Sequence, residues 1–432
     1  MVFAADVSYP PNPIPSNIIT NGTDSPTITD GTTSTAADAN TITNTTPLPP
    51  GDSPSLILAP ATPTERITVL KLNSAVWKGP LEVSAYIARE DHLKQQQLTG
   101  NRLTCWILVD RTQEPDHRTI FASCESFKKS AVVAYGGKVE ETATHGVGSV
   151  YCRPEFRGMG YAKRMMEELA IELETWQIDK VKDGREKALF TVLWSDIGKE
   201  FYKQFGWEPF DSAHIELVPI NEREFKRELP GVDLPWIRDL TAEEINGAMC
   251  SKEVVKKERE FLRAASLKSP GAKVAVNPDF EHFTWHWARE EFYAERLCPE
   301  KAAPVIKGVG HDGAGVYCAW NRNFGETPEE NTLFILRWVY DEPTTPAQTE
   351  ATIEAMAAVL RRAQREAHEW GMARVEFWNP APLMQKAVSL LDPTAEVIHR
   401  EKSSIASLRW IGGEQGLGDD VEWFWNEKYA WC

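Results

Sequence analysis

The chain has 432 residues, 47 of them basic and 63 acidic, for a formal net charge of −16. At roughly 100 to 200 residues per domain this length holds two or three domains, and the acidic balance excludes a general nucleic-acid binder or a polybasic membrane sensor, which need surplus Lys and Arg. No apolar run approaches the ~18 residues of a membrane span, and seven scattered cysteines without a C-x-x-C pair predict a reduced, intracellular protein with no structural zinc.

Residues 1–65 contain 11 of the 28 prolines, six acids and no basic side chain. Stretches such as PPNPIPSN and GTTSTAADANTITNTTPLPPGDSPS show neither helical nor strand periodicity, and such a segment buries too little apolar surface to offset its ordering entropy. A disordered tail over 1–65 is expected. It has neither the basic start and apolar run of a secretory signal nor an Arg-rich amphipathic pattern, so a cytoplasmic location is expected. Without the tail the remaining residues carry 57 acids against 47 bases, a net charge of −10.

The folded part is predicted to start near residue 66. The alternation in ITVLKLN (67–73) predicts a strand, SAYIAREDHLKQQ a short helix, and TCWILVD followed by TIFASCESFKKSAVVAYGGKV an antiparallel meander. Val147–Cys152 reads as a strand, while Tyr161, Met165, Leu169, Leu173 and Trp176 recur at helical spacing. Between them lies the turn Arg157-Gly158-Met159-Gly160-Tyr161-Ala162. KALFTVLW then predicts a buried strand, SDIGKEFYKQF a short helix, and Gly206-Trp207 the start of another strand.

A strand passing through a glycine-rich turn into a helix is suited to bind phosphate. The first helical N–H groups have no intrahelical partner, the helix dipole adds positive potential, and Gly158 and Gly160 let a ligand approach the backbone. The Rossmann reading is weaker, because Lys163 stands at the third glycine position and the preceding strands read as antiparallel. Further on lies Ser195-x-x-Gly198-x-x-Phe201-Tyr202-x-x-x-Gly206-Trp207, at the distance one helix and one strand require. With this second element, residues from about 66 to 220 resemble the GNAT acyltransferase superfamily, which combines an R/Q-x-x-G-x-G/A loop with N-x-x-A-x-x-F-Y-x-x-x-G-F. Here Ser replaces Asn, Gly replaces Ala and Trp replaces Phe.

The resemblance implies acetyl-CoA as co-substrate. Backbone groups of Val150, Tyr151 and Cys152 would pair with its pantetheine arm, and N–H groups of Arg157, Gly158, Met159, Gly160, Tyr161 and Ala162 would hold its pyrophosphate. Tyr202 matches the family tyrosine that protonates the leaving thiolate. Direct transfer needs a neutral amine, and an ammonium of pKa ~10.4 must lose a proton first; His145 and Glu141, just before the strand, are the candidate bases, with Glu140 beside them.

Residues 221–300 read as a charged helical connector. Thr241-x-x-Glu244 is a capping box opening a helix that runs on through VVKKEREFLRAAS. His282 and His286 have metal-ligand spacing on FEHFTWHWAREEFYAERL, but without H-E-x-x-H order or a third ligand no metal is expected. From 301 to 432 the order of strand, turn, long helix and strand recurs: Leu333–Tyr340, a helix capped by Thr345-Pro346-x-Gln348, then ARVEFW. Its turn reads Asp341-Glu342-Pro343, where carboxylates would repel a pyrophosphate and proline lacks an N–H. The literal G-x-G-x-x-G at 308–313 leads into the strand-like GVYCAW, so a hairpin turn is expected there.

The expected fold is therefore α/β (α+β): a GNAT domain with a mixed central sheet at 66–220, a helical connector at 221–300, and a second, degenerate GNAT-like unit at 301–432 without a cofactor site. This layout, with 11 of 16 tryptophans after residue 220, resembles the fungal lysine N6-acetyltransferase family. The resemblance implies acetyl transfer to the side-chain amine of free L-lysine in lysine catabolism, with a small-molecule acceptor and neither nucleic acid nor membrane as partner. The alternatives are another small amine or a peptide or protein amine as acceptor, and a non-catalytic acetyl-CoA-binding scaffold.

Overall fold

A computed structural model describes residues 48–178, 187–232 and 234–431; the expected tail over 1–47 lies outside the described residues. The remainder of that tail is ordered. Strand β1 (Leu56–Pro60) pairs antiparallel with β2 (Leu103–Asp110), and helix α1 (Pro63–Trp77) starts before residue 66. The strand expected over 67–73 is part of this helix. Its start is fixed by a capping box, in which Thr62 Oγ1 accepts the Glu65 N–H at 3.1 Å and Glu65 accepts the Thr62 N–H at 2.9 Å, with Pro63 at the first helical position. Arg118 also donates to both Glu65 carboxylate oxygens at 2.8 Å, and this ion pair holds the Glu65 pKa down to about 2. Local alternation is a weaker signal than this cap.

Helix α2 (Val83–Lys94), β3 (Ala122–Tyr135), β4 (Lys138–Cys152), α3 (Tyr161–Glu172), β5 (Phe190–Ser195), the short α4 (Glu200–Lys203) and β6 (Glu208–Pro209) follow in the expected order. The path β1-β2-β3-β4-β5 of the first sheet is antiparallel up to β4, and β4 and β5, which α3 connects, are parallel. One of its faces packs on Met165, Met166 and Leu169 of α3. Phe190, Val192 and Trp194 of β5 point to the other face, against the second half of the chain. Strand alternation produces this split.

The second sheet begins with β7 (Ala213–Leu217). The chain continues through α5 (Glu222–Phe225), β8 (Ile237–Leu240), α6 (Ala242–Met249), α7 (Lys252–Lys268), β9 (Ala272–Val276) and α8 (Phe280–Leu297). It then forms β10 (Gly308–His311), β11 (Val316–Asn323), β12 (Thr332–Val339), α9 (Pro346–Glu369), β13 (Arg374–Trp378), α10 (Pro382–Leu391), β14 (Ile398–His399), β15 (Ile405–Trp410) and β16 (Val421–Trp423). The order of the second sheet is β14-β7-β13-β12-β11-β10-β8, with β12 and β13 parallel and joined by α9. This repeats the β4–α3–β5 crossover. In the repeated turn Asp341 pairs with Lys257 at 2.7 Å.

The expected boundaries do not coincide with the sheets. β7, before residue 220, belongs to the second sheet, whereas the connector supplies β8 to the second sheet and β9 to the first, where it pairs with β3. From the last third of the chain β15 inserts between β5 and β6, and β16 pairs with β9. The single helix expected from residue 241 is two, broken at Cys250 because Ser251 caps α7 by accepting the Val254 N–H. His282 and His286 face structural partners, Asp279 Oδ1 at 2.8 Å and the Tyr429 carbonyl at 3.1 Å. Among the described residues no helix is long and apolar enough to cross a membrane.

The C-terminal segment is pinned between the sheets. Glu427 accepts from the Trp338 N–H and from Arg337, both at 2.9 Å, the Tyr429 hydroxyl donates to the Val276 carbonyl at 2.7 Å, and Lys129 donates to the Ala430 carbonyl at 2.5 Å. These bonds fix residues 426–431 over the face of the first sheet that α3 leaves uncovered.

Candidate active site

β4 and β5 pair only from His145↔Thr191 to Val147↔Leu193. Beyond Val147 the two strands separate, and the β5-facing backbone groups of Gly148–Tyr151 have no strand partner among the described residues. A bulge lies at this point: Ser123 pairs with Tyr151 but Glu125 with Gly148, so β4 carries one extra residue, and Ser149 takes a left-handed φ of 53°. The bulge turns Val150 and Cys152 toward α3 and Tyr151 toward the opposite face, where its ring meets Trp77 of α1 at 5.9 Å. An open strand edge of this kind accepts an extended, amide-bearing arm by backbone hydrogen bonding.

The strand leads through Pro154–Phe156 into the turn before α3. Gly158 and Gly160 have φ of 76° and 82°, a region that disfavours L side chains. Gly160 is the N-cap of α3 and provides no side-chain cap, so the Tyr161, Ala162 and Lys163 N–H groups precede the first intrahelical bond, Arg164 N–H to Gly160 carbonyl at 3.0 Å. Met159 is exposed, Tyr161 and Ala162 are buried, and Arg157 Nε turns back to the Cys152 carbonyl at 3.4 Å. Uncapped N–H groups, left-handed glycines and an open strand edge in sequence fit a pantetheine pyrophosphate.

One wall of this turn comes from the segment expected to be disordered. Tyr161 donates its hydroxyl to the Pro49 carbonyl at 2.6 Å, and a Cβ on Gly51 would lie 2.5 Å from the Met159 carbonyl oxygen. Gly51→Ala must therefore shift the turn. We expect roughly tenfold weaker acetyl-CoA binding by calorimetry, the effect of an overpacking strain of about 1–3 kcal/mol; wild-type affinity would show that this segment leaves the turn unaffected.

Tyr202, on α4, is buried on the α3 side, and its hydroxyl has no hydrogen-bond partner. Burial, with Asp196 and Cys124 nearby, raises its pKa well above the ordinary phenol value. The hydroxyl therefore stays protonated and is available as a hydrogen-bond donor to an anion.

The structure does not bring the two expected bases to the end of β4. Glu141 lies 11 residues before Cys152, roughly 36 Å along the strand at about 3.3 Å per residue. There it pairs with Arg259 at 2.6 Å and accepts from Asn277 at 2.9 Å. His145 is fully buried beside β5, with Nε2 on the Trp176 carbonyl at 2.8 Å; burial lowers its pKa to about 4, so it is a neutral core imidazole.

A different carboxylate lies at the bulge. Glu125 of β3 accepts from Ser149 Oγ at 2.8 Å, on the α1/α2 face opposite Tyr202. It is 6 % exposed, and burial together with the Glu90 charge raises its pKa, while Arg66, Ser149 and Arg89 lower it. The sequence signal is a charged residue in the apolar strand ASCESF, but only the paired register of β3 and the β4 bulge places it at the separation point.

This fold is matched by the known families. Residues 115–209 match the "Acetyltransferase (GNAT) domain" model and residues 214–432 the "LYC1 GNAT-like C-terminal domain" model. A Yarrowia lipolytica protein named "Lysine acetyltransferase" is 32% identical over 392 residues, covering 82% of this chain and 94% of that protein. The chain belongs to the GNAT superfamily of N-acetyltransferases. An uncharacterised Saccharomyces cerevisiae protein is 25% identical over 395 residues, covering 83% of this GNAT chain and 93% of its own length. Among solved structures, a GCN5-related N-acetyltransferase from Kribbella flavida aligns with a TM-score of 0.45 and 16% identity, over 82% of this chain and 71% of that one. The protein is thus an acetyl-CoA-dependent N-acetyltransferase whose acceptor is an amine.

Proposed function

We propose that this acetyltransferase acetylates the side-chain amine of free L-lysine, a role in lysine catabolism. The observation that carries this reading is the placement of Glu125 and Tyr202 on opposite faces of the separated β4 and β5 strands, with the acceptor face closed by α8 and the C-terminal segment. The named activity of the Yarrowia relative supports the same acceptor.

Bound acetyl-CoA supplies an acyl thioester. The N–H groups from Gly158 to Ala162 hold its pyrophosphate, and the β5-facing edge of Val150–Cys152 holds its arm. On the acceptor face, Glu125 takes the proton of the incoming ammonium, with Glu90 adding negative charge beside it. Its raised pKa brings a carboxyl closer to the range in which a base is both ionised at neutral pH and able to accept a proton. On the other face the Tyr202 hydroxyl donates its proton to the departing thiolate. From ammonium to amide the nitrogen gains the acetyl carbon and loses two protons. Glu125 takes the first before attack and passes it through water to solvent, then takes the second from the adduct and returns it through water to Tyr202, which has given its own proton to the sulfur.

The test is a screen of free amino acids, polyamines and peptides with acetyl-CoA, reading released thiol. L-Lysine should give the highest kcat/KM, with the product acetylated on the side-chain nitrogen. Faster turnover of peptides than of free lysine would replace this acceptor by a protein or peptide amine.

A further inference from the structure

The acceptor face carries a second polar feature that the acetyl transfer itself does not use. Arg400, Lys428 and Arg289 come from the loop before β15, the C-terminal turn and α8, and Lys428 lies within electrostatic reach of the other two. Arg400 is 7 % exposed; its Nη1 donates to the Ala213 carbonyl at 2.9 Å, whereas Nε and Nη2 are buried without an acceptor. Its guanidinium stacks 4.2 Å from the centre of the Trp378 ring. The Lys428 ammonium, 6 % exposed as a residue, lies 4.4 Å from that ring, 4.4 Å from Phe334 and 3.7 Å from Trp431. Arg289 donates to Asn323 Oδ1 at 2.5 Å and lies 5.2 Å over the Tyr293 ring.

Among the described residues, no carboxylate forms an ion pair with any of the three. The acids within reach of Lys428, Glu376 and Asp196, are otherwise engaged: Glu376 accepts from Trp378 Nε1 at 2.9 Å and faces Arg374 at 3.8 Å, and Asp196 accepts the Ser404 N–H at 2.7 Å. Burial without pairing lowers Lys428 to about 7 and Arg400 to about 10. Rings at this distance stabilise the cations only partly, and buried charge lacking a counter-ion is costly. A bound anion would remove that cost.

The position of the patch limits the choice of anion. Asp196 acts electrostatically on both Tyr202 and Lys428, and Arg289 lies within reach of Lys428 and of Glu90, the neighbour of Glu125. Arg289 therefore brings the patch within electrostatic range of the acid pair, and Asp196 brings it within range of the end of β5. The phosphate-binding N–H groups lie elsewhere, at the start of α3. Building on the amine-acetylation reading above, we propose that Arg400 and Lys428, with Arg289, form a carboxylate subsite that binds the carboxylate of an amino-acid acceptor while Glu125 and Glu90 receive its amine. The site so built selects zwitterionic amines over amines that lack a carboxylate.

The test compares amines in pairs, L-lysine with cadaverine and 6-aminohexanoate with hexylamine, using the full chain, acetyl-CoA and initial rates. The wild type should favour the carboxylated member of each pair by about 10- to 100-fold in kcat/KM, the effect of one or two charge-assisted hydrogen bonds. Arg400→Gln and Lys428→Met should remove most of that preference, mainly by raising KM for the carboxylated amine, and Arg400→Lys should recover part of it. Lys428→Met keeps an unbranched stem in the aromatic cage, so it carries the comparison if Arg400→Gln fails to fold. Equal slowing of lysine and cadaverine, or a raised KM for acetyl-CoA alone, would overturn the subsite, the latter assigning the patch to a cofactor phosphate. If lysine is not turned over but 6-aminohexanoate is preferred to hexylamine through Arg400, the subsite stands and the lysine reading fails. Lysine turnover with no carboxylate preference would instead overturn the subsite and leave lysine as the acceptor.

Discussion

Gly160→Glu is expected to weaken acetyl-CoA binding by about 1000-fold, measured calorimetrically, through the loss of two or more charge-assisted hydrogen bonds of about 1.5–3 kcal/mol each. Two effects combine. Gly160 has a φ of 82°, where a side chain costs roughly 1–2 kcal/mol, and it is the N-cap of α3, whose first N–H groups form the proposed anion site. A carboxylate there fills the positive end of the helix and repels a pyrophosphate. Gly160→Ala separates the two, since it keeps only the backbone strain and should cost about tenfold. Unchanged affinity of the Glu variant would remove this turn from the cofactor site.

Glu125→Gln is expected to lower kcat/KM by about 100- to 1000-fold, within the range of a lost general base. A base must be ionised to act, so the wild-type rate should rise with pH through the raised Glu125 pKa and then level off; in the Gln variant that rise should disappear. The groups facing Glu125 are Ser149 Oγ from β4, Arg66 from α1, and Arg89 and Glu90 from α2. Stability distinguishes this role from a structural one. A carboxyl whose folded pKa is raised destabilises the fold once the pH exceeds its unfolded value, so the neutral Gln should hold or raise the melting temperature at pH 7. A slower enzyme with a lower melting temperature and an unchanged pH profile would make Glu125 structural.

The site is legible in the sequence where its chemistry depends on local backbone. The Arg157–Ala162 turn presents uncapped N–H groups and left-handed glycines, and both follow from neighbours in the chain. Ser195 to Trp207 adds side chains at fixed offsets on one short helix, and Tyr202 falls on α4 with its side chain buried. Local capping likewise places the starts of α6 and α9 at Thr241 and Thr345. The same physics governs Thr62–Glu65, where the alternation of residues 67–73 suggests a strand but the capping box specifies a helix.

The misplaced bases have a common cause. Glu141 and His145 are close in sequence to the β4 end, yet a strand advances about 3.3 Å per residue, so their separations of eleven and seven positions from Cys152 carry each side chain far from it. Glu125, 24 residues before Ser149, lies closer because β3 and β4 form a hairpin. Glu125 faces Ser149 only because one extra residue at the bulge shifts the register.

Sequence alone determined the superfamily, the glycine-rich turn before α3, the helix that carries Tyr202 and the repeated crossover whose turn lacks glycines, since each is marked by local residue patterns. Tertiary structure decided the rest. Whether IASLRW (405–410) joins the first or the second sheet depends on which edge is open when it arrives, and a six-residue alternation is the same in either place; it lies between β5 and β6. Arg289 on α8 comes near Arg400 and Lys428, each more than a hundred positions later in the chain, only through that long-range pairing and the pinned C-terminal segment.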